Sequence, residues 1–197
     1  KYIESTTDKN IKMYLGLLKE NSKSCLKIIN DLMKNEHQTS PEIFVKNVRI
    51  DVIKKISLIH DELQRSYQRR KFDFYYSTKH LYINTDDVKL LQVVNNLTSN
   101  AIKFSPPTAP IIIEVSDNDE EVIVSVKDNG IGIPQQMQVF ICERQLGSGR
   151  AGLNGEKSIG VGLSICKNLI QLMDGKIWFE SKEGDGSTFF ISLPKNK

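Results

Sequence analysis

Three short segments carry residue types that could do chemistry. The first is Asp128-Asn129-Gly130-Ile131-Gly132-Ile133, directly after an apolar run that reads as a strand. Glycines at alternate positions let a backbone approach a ligand with no Cβ in the way. A carboxylate at a strand end can accept from an exocyclic amine, such as adenine carries. The second is Gly160-Val161-Gly162-Leu163 at a helix start, where free backbone N–H groups and the helix dipole favour phosphate oxygens. The third is Asn96-Leu97-Thr98-Ser99-Asn100-Ala101-Ile102-Lys103-Phe104. At helical spacing Asn96, Asn100 and Lys103 share one face. An amide oxygen suits Mg²⁺, which keeps several waters and takes few protein ligands beside substrate phosphates, and Lys103 can meet phosphate charge. Taken singly, each segment is also an ordinary object: a strand exit, a close-packed turn, a solvated helix face.

The elements that must position these residues are legible from periodicity. Residues 9 to 36 read as a long helix, with Ile11, Leu15, Leu18, Leu26, Ile29, Leu32 and Met33 on one face. The break HQTSPE around Pro41 ends it. A second helical pattern starts near Asp51 and runs through Val52, Ile53, Ile56, Ile59, Leu63 and Tyr67. From Lys71 the period changes to two, in Phe72, Phe74 and Tyr76, and Leu81 and Ile83 continue the extended run. Asp86 or Asp87 caps the next helix, whose apolar face is Leu90, Leu91, Val94, Leu97, Ala101 and Ile102, and Ser105-Pro106-Pro107 stops it. Ile111–Val115 and Val122–Val126 form a hairpin across SDNDEE. Residues 134 to 158 read as a polar loop with Gly147, Gly149, Gly152 and Gly155, of a length that implies a functional lid or a disordered segment. A helix follows from about Gly160 to Gly175, then strands Lys176–Ser181 and Thr188–Leu193 around EGDGS. Helices and strands mix while consecutive strands pair, so the fold class is α+β, a sheet with helices on one face. There is no internal repeat.

Composition narrows the class. With 197 residues and 39% hydrophobic residues the chain can build a core unaided. No apolar run approaches the ~18 residues of a membrane span, and the longest, Ile111 to Val115, contains Glu114. The N-terminal KYIESTTDKN lacks the apolar stretch of a secretory signal, and a start at Lys reads as an excised fragment. A net charge of +3 is too balanced to argue for nucleic acid. The cluster Arg65, Arg69, Arg70, Lys71 reads as a solvated helix end. Cys25, Cys142 and Cys166 form no CxxC and fit a reducing compartment.

In this order the three segments are recognisable. The chain resembles the catalytic ATP-binding domain of sensor histidine kinases, within the wider family of gyrase, Hsp90 and MutL. QVVNNLTSNAIKF is similar to the N box, DNGIGIP to the G1 box, GVGLSICKNLI to the G2 box, and EGDGSTFFISLP to the closing strand pair. The resemblance covers about residues 48 to 194 and implies a Bergerat-type fold: a two-layer sandwich of a mixed, mostly antiparallel sheet with helices on one face. Upstream, NSKSCLKIINDLM is similar to the end of the second helix of the dimerisation and phosphoacceptor hairpin. The implied organisation is therefore hairpin helix and linker over 1–40 and catalytic domain over 41–197, with the phosphorylated histidine on a helix before Lys1. His60-Asp61-Glu62-Leu63 superficially echoes an H box but lacks the Arg-Thr-Pro continuation, and it is read as structural; His37 and His80 receive no role.

The resemblance also implies roles. Asp128 hydrogen-bonds adenine, with Gly130, Gly132 and Ile133 shaping the pocket. Asn100 holds Mg²⁺ with Asn96 close by. Lys103 contacts phosphate, Phe104 packs near the adenine, Gly160, Val161, Gly162 and Leu163 form the turn beside the phosphates, and Thr188 lines the adenine side. The expected cofactors are ATP and Mg²⁺. The expected partners are a phosphoacceptor histidine of the same or a partner protomer, a response-regulator receiver domain and a second copy of the full-length protein, with no nucleic acid. The expected location is cytoplasmic, any membrane anchor belonging to regions outside this chain.

Two departures stand out. Ile141-Cys142-Glu143-Arg144 falls on the F box, and Cys142 and Gln145 replace its two aromatics, with Phe140 a substitute by a shift. Arg144 or Arg150 remains to reach the γ-phosphate. Ser158 stands where the G2 box often has its first glycine. Besides a histidine kinase, the boxes fit three alternatives. A gyrase- or MutL-type hydrolase needs a glutamate base where Asn96 stands. An anti-sigma-factor kinase has no counterpart of residues 9 to 36. A nucleotide-binding pseudokinase that signals by conformation would suit the altered F box.

Overall fold

A computed structural model describes residues 45–139, 141, 152–153 and 162–195. They belong to a compact unit that begins at Val45. The expected helix over 9–36 and the boundary at 40/41 lie outside the described residues.

Chain order is β1 (Val48–Asp51), α1 (Val52–Ser66), β2 (Phe72–Tyr76), β3 (Tyr82–Thr85) and α2 (Asp87–Phe104), then β4 (Ile111–Asp117), β5 (Glu121–Asp128), a short α3 (Gln135–Gln138), α4 (Gly162–Leu172), β6 (Lys176–Lys182) and β7 (Gly186–Pro194). Five strands form one sheet in the order β2-β4-β5-β7-β6. The β2–β4 pair is parallel and every other pair antiparallel. A parallel neighbour demands a crossover, and α2 lies on it. On one sheet face Ile111, Ile113 and Val115 stand opposite Asp128, Val126 and Val124, and Val126, Val124 and Val122 stand opposite Phe189, Ile191 and Leu193. Against that face pack Ile53, Ile56 and Ile59 of α1, Leu90, Val93, Val94 and Leu97 of α2, and Cys166 and Ile170 of α4. The opposite face carries Glu114, Ser125, Lys127 and Glu180 and a stacked Trp178–Phe190 pair. The mixed, mostly antiparallel α+β sandwich expected from the sequence is what the chain adopts.

Three expectations change. The extended run over Phe72 to Ile83 is two strands in different sheets. Ser77 N–H still donates to Val115 O (3.3 Å), but Thr78 Oγ1 then donates to His80 O (3.2 Å) and the chain turns away. After that turn β3 pairs with β1, Val48 opposite Thr85, in a separate two-stranded sheet. With four residues, β1 is too short to show a period. Part of the polar loop is also helical, over Gln135–Gln138. Lastly, Arg70 does not belong to a solvated helix end: it is 5% exposed, while Arg65, Arg69 and Lys71 face solvent.

Helices α1 and α2 each begin at an aspartate. Asp51 accepts from Lys54 N (3.4 Å). Asp86, the cap of α2, is buried, and its carboxylate accepts from Lys89 N (3.0 Å), Lys89 Nζ (2.7 Å) and Lys46 N (3.0 Å). Burial alone would raise its pKa, but those donors hold it down at about 2. A folded-state value below the ordinary one stabilises the fold above about pH 4, and that stability is lost as pH falls toward 2. Asp86→Ala should therefore cost about 2 kcal/mol at pH 7. Urea unfolding of both proteins checks this: the gap should narrow below pH 4, and a constant gap would show that the charge contributes nothing.

Candidate functional site

The polar face of α2 is where side chains of expected function first meet. Leu97 and Ala101 turn into the core, which leaves Asn96, Asn100, Lys103 and Phe104 half-buried. Asn96 Nδ2 donates to Gly162 O (3.0 Å), the first residue of α4. A Cβ on Gly162 would fall 2.8 Å from Asn96 Oδ1, so this contact requires glycine. Leu163 packs against the core beside it. The Asn100 amide makes no side-chain hydrogen bond among the described residues. The Lys103 ammonium stands 5.5 Å from the centroid of the Phe104 ring.

At the end of β5, Asp128 points to the same sheet face as Val126, Val124 and Val122 and is 5% exposed. Its Oδ1 accepts from Gly130 N (2.8 Å), and the N–H of Ser187, its neighbour on β7, also donates to the carboxylate. Burial pushes its pKa up to about 6, although those two donors and the Arg70 charge pull the other way. The carboxylate is thus largely ionised at neutral pH and short of polar partners.

The turn after Asp128 is wedged between two supports. Ile131 N–H donates to Phe104 O (3.0 Å), and a Cβ on Gly130 would lie 2.1 Å from that same oxygen. On the other side Gly184 N–H donates to Ile131 O (3.0 Å). Gly132 has φ +62° and its absent Cβ would sit 2.0 Å from Lys182 O. Both glycines are therefore obligatory. Ile133 N–H donates to Ser181 Oγ (2.9 Å), and its side chain is buried in the core. Ser181 Oγ in turn meets Ser187 Oγ (2.9 Å) and Gly186 O (2.9 Å).

The geometry thus brings the turn after Asp128 against the end of α2 through Gly130 at Phe104 and against β6 through Gly132 at Lys182, and Asn96 against Gly162. It does not bring Thr188 to them. Thr188 lies opposite Lys127 and Glu180 on the outer sheet face, whereas Ser187 shares the inner face with Asp128. Strand alternation with the apolar residues Phe189, Ile191 and Leu193 was the available signal for Ser187. Arg70 carried no such signal in the sequence. Arg144, Gly160 and Val161 lie outside the described residues, as do Cys142, Gln145, Arg150 and Ser158.

Among the described residues no cluster of three or more His, Cys, Asp or Glu side chains could hold a metal. A cation on this face of α2 would meet the amide oxygens of Asn96 and Asn100, a donor set that suits Mg²⁺ bound chiefly through waters and phosphates. Among the described residues the Asn100 amide makes no side-chain hydrogen bond, while Asn96 is occupied by Gly162 through its Nδ2.

Known proteins give this geometry a context. Residues 85–197 match the family described as "Histidine kinase-, DNA gyrase B-, and HSP90-like ATPase". The chain is 29% identical over 184 residues to the sensor histidine kinase WalK of Bacillus subtilis (strain 168), covering 92% of this chain and 30% of that protein. It is 38% identical over 115 residues to the phytochrome-like protein Cph1 of Synechocystis, covering 57% of this chain and 15% of that one. The chain thus spans less than a third of the length of these relatives. The catalytic domain of histidine kinase ThkA superposes with a TM-score of 0.63 at 28% identity, covering 76% of this chain and 96% of that one. Full-length ShkA in complex with AMPPNP shares the fold, with a TM-score of 0.72 at 22% identity, covering 93% of this chain and 38% of that one. The chain belongs to the histidine kinase-, DNA gyrase B- and HSP90-like ATPase family, and the ATPase domain it carries is of the sensor histidine kinase kind.

Proposed function

We propose that this chain is the ATP-binding part of a two-component sensor histidine kinase. It would bind Mg²⁺–ATP and pass the γ-phosphate to a histidine on an upstream dimerisation helix, for relay to a response-regulator aspartate. Residues 41–197 would be the catalytic domain and 1–40 part of the hairpin and its linker, in a parent that works as a homodimer with this part in the cytoplasm. The ThkA relative has been seen "in complex with response regulator protein TrrA", which supports a receiver domain as partner.

The observation that carries the reading is Asp128, a buried carboxylate beside a turn that two obligatory glycines wedge between β6 and the helix bearing Asn100 and Lys103. A buried acceptor is suited to one amine edge and discriminates by leaving itself unpaired when that edge is wrong. Ser187, on the same sheet face, takes the place expected for Thr188 on the adenine side. Lys103 at the end of α2 faces phosphate charge, and Asn100 would hold Mg²⁺, whose chemistry is to neutralise charge on the transferring phosphoryl group. What the protein supplies is position and electrostatics. The hydrolase alternative is disfavoured at one atom pair: Asn96 is an amide, not a base, and its Nδ2 is committed to Gly162 O.

The test uses the protein extended upstream to include the histidine helix, incubated with γ-labelled ATP and Mg²⁺. Acid-labile, base-stable label establishes phosphohistidine. ATP bound without label would move the reading to a nucleotide-binding pseudokinase. Asp128→Asn should weaken ATP binding at least roughly tenfold, since a buried unpaired polar edge costs 1–3 kcal/mol, while His60→Ala leaves it unchanged. Calorimetry giving equal affinities for both variants would overturn the site assignment. Affinity should also depend on pH with a known sign. The ionised Asp128 carboxylate is a stronger acceptor than the acid, so ATP binding should fall as pH drops through about 6, and a flat profile from pH 5 to 8 would contradict this role.

A further inference from the structure

Arg70 is a buried cation placed where the reading above gives it no task. It lies in the loop between α1 and β2, and none of the ion pairs among the described residues includes it. Its guanidinium instead faces the C-terminal end of α2. Nη1 donates to Ser105 Oγ (2.5 Å) and Ala109 O (3.3 Å), and Nη2 to Ser105 O (3.2 Å) and Ile102 O (3.4 Å). Gln64 of α1 fixes the loop itself, donating to Arg70 O (3.1 Å) and accepting from Phe72 N (3.1 Å).

Desolvating a guanidinium is expensive unless its donors are used. A lone helix terminus at a solvated site needs no such residue, since water serves its carbonyls. Here the terminus is also the support of the site. The residues flanked by Arg70's partners are Lys103 and Phe104, and Phe104 O is the acceptor that seats the turn after Asp128. The planar fork spans three carbonyls and a hydroxyl at once, which an ammonium with three donors cannot do.

We propose that Arg70 is a positioning residue of the nucleotide site: its guanidinium holds the last turn of α2 from behind, and through Phe104 O it fixes the turn that frames Asp128. The inference rests on the nucleotide-site reading given above. The Arg70 charge also acts on the Asp128 carboxylate and lowers its pKa. Of the other charged groups nearby, Lys103 of α2 lies over the Phe104 ring, Lys127 of β5 is on the opposite sheet face, and Lys182 pairs with Asp185 (2.6 Å) at the β6–β7 turn. Among the described residues Arg70 is the one whose charge acts on Asp128.

The experiment compares the 197-residue chain with Arg70→Lys and Arg70→Met. It reads ATP affinity with Mg²⁺ by calorimetry and the Asp128 side-chain carboxyl by ¹³C NMR titration without nucleotide. Arg70→Met should weaken ATP roughly tenfold at pH 7, move the Asp128 midpoint upward, and recover part of the affinity at pH 8.5. Arg70→Lys should keep the midpoint near that of the parent chain yet bind ATP more weakly, because the charge survives and the fork does not. A merely structural arginine predicts otherwise: melting temperatures fall while affinity and midpoint of the folded variants stay put, and that result overturns the proposal. If Arg70→Met fails to fold, Arg70→Lys decides alone, and unchanged affinity in it is equally fatal. If the parent chain binds no ATP, the functional reading fails by itself, whereas the Asp128 titration still reads the link from Arg70.

Discussion

An α-helix ends with four carbonyls that have no partner inside it, and in this fold those of α2 hold the site together. Ala101 O accepts from Ser105 Oγ (2.6 Å), Ile102 O from Arg70 Nη2 (3.4 Å), Lys103 O from Leu153 N (3.1 Å) and Phe104 O from Ile131 N (3.0 Å). Each acceptor is met by a different stretch of chain: the helix's own cap, the loop before β2, the polar segment ahead of α4, and the turn after β5. Segments as far apart in sequence as Arg70 and Leu153 thereby converge on one turn of helix, at roughly 1 kcal/mol per hydrogen bond. Shortening or lengthening α2 by one residue would rotate those carbonyls by about 100° and address all four to the wrong partners.

The same turn explains why the fold tolerates an unfavourable residue. Asp128 is buried with its pKa pushed up to about 6, so keeping it ionised at neutral pH costs the apo fold on the order of 3 kcal/mol. By linkage, a folded-state value above the ordinary one means stability that is present at low pH and lost as pH rises through about 6. That is the reverse of Asp86, whose value of about 2 makes it stabilising at neutral pH. One carboxylate at each end of α2 therefore acts in opposite directions. Asp86 has three donors on it, while Asp128 keeps accepting capacity that the described residues do not fill. An unfilled acceptor in a low-dielectric setting is a liability in an empty protein and an asset toward an amine donor.

What could be read from the residues alone follows from which signals are local. The Asn96–Asn100–Lys103 face is set by helical spacing, and Asp128 with its glycines by one strand and one turn, so both were legible. Ser187 against Thr188 turned on the parity of a strand, and parity is fixed by a register against β5 that no local pattern states. The alternation of Phe189, Ile191 and Leu193 carries it once those residues are known to face the helices. The break between β2 and β3 turned on Thr78 and His80, polar residues that extended and bent chains share. Arg70 was the least legible. Among Arg65, Arg69 and Lys71, which are solvated, nothing in composition marks one cation as buried; only the arrival of α2's carbonyls decides it.

The site is hung on α2 at more than its end. Asn96, two turns before Phe104, ties Gly162 and with it the first turn of α4. The beginning of the helix, about 27 Å from its end at 1.5 Å per residue, is tied through Asp86 to Lys46 N, just after the start of the described chain. A rod buried along Leu90, Val93, Val94 and Leu97 bends little, because its core face is packed on every side. The turn framing Asp128, the start of α4 and the entering chain are therefore bonded to one stiff body, and none of the three contacts can shift far unless α2 moves or the bond breaks. Bonds between a glycine turn and a carbonyl break at about 1 kcal/mol, whereas moving α2 disturbs the whole core. The compliant parts of the site are consequently the turns, and the helix is the frame against which they are measured.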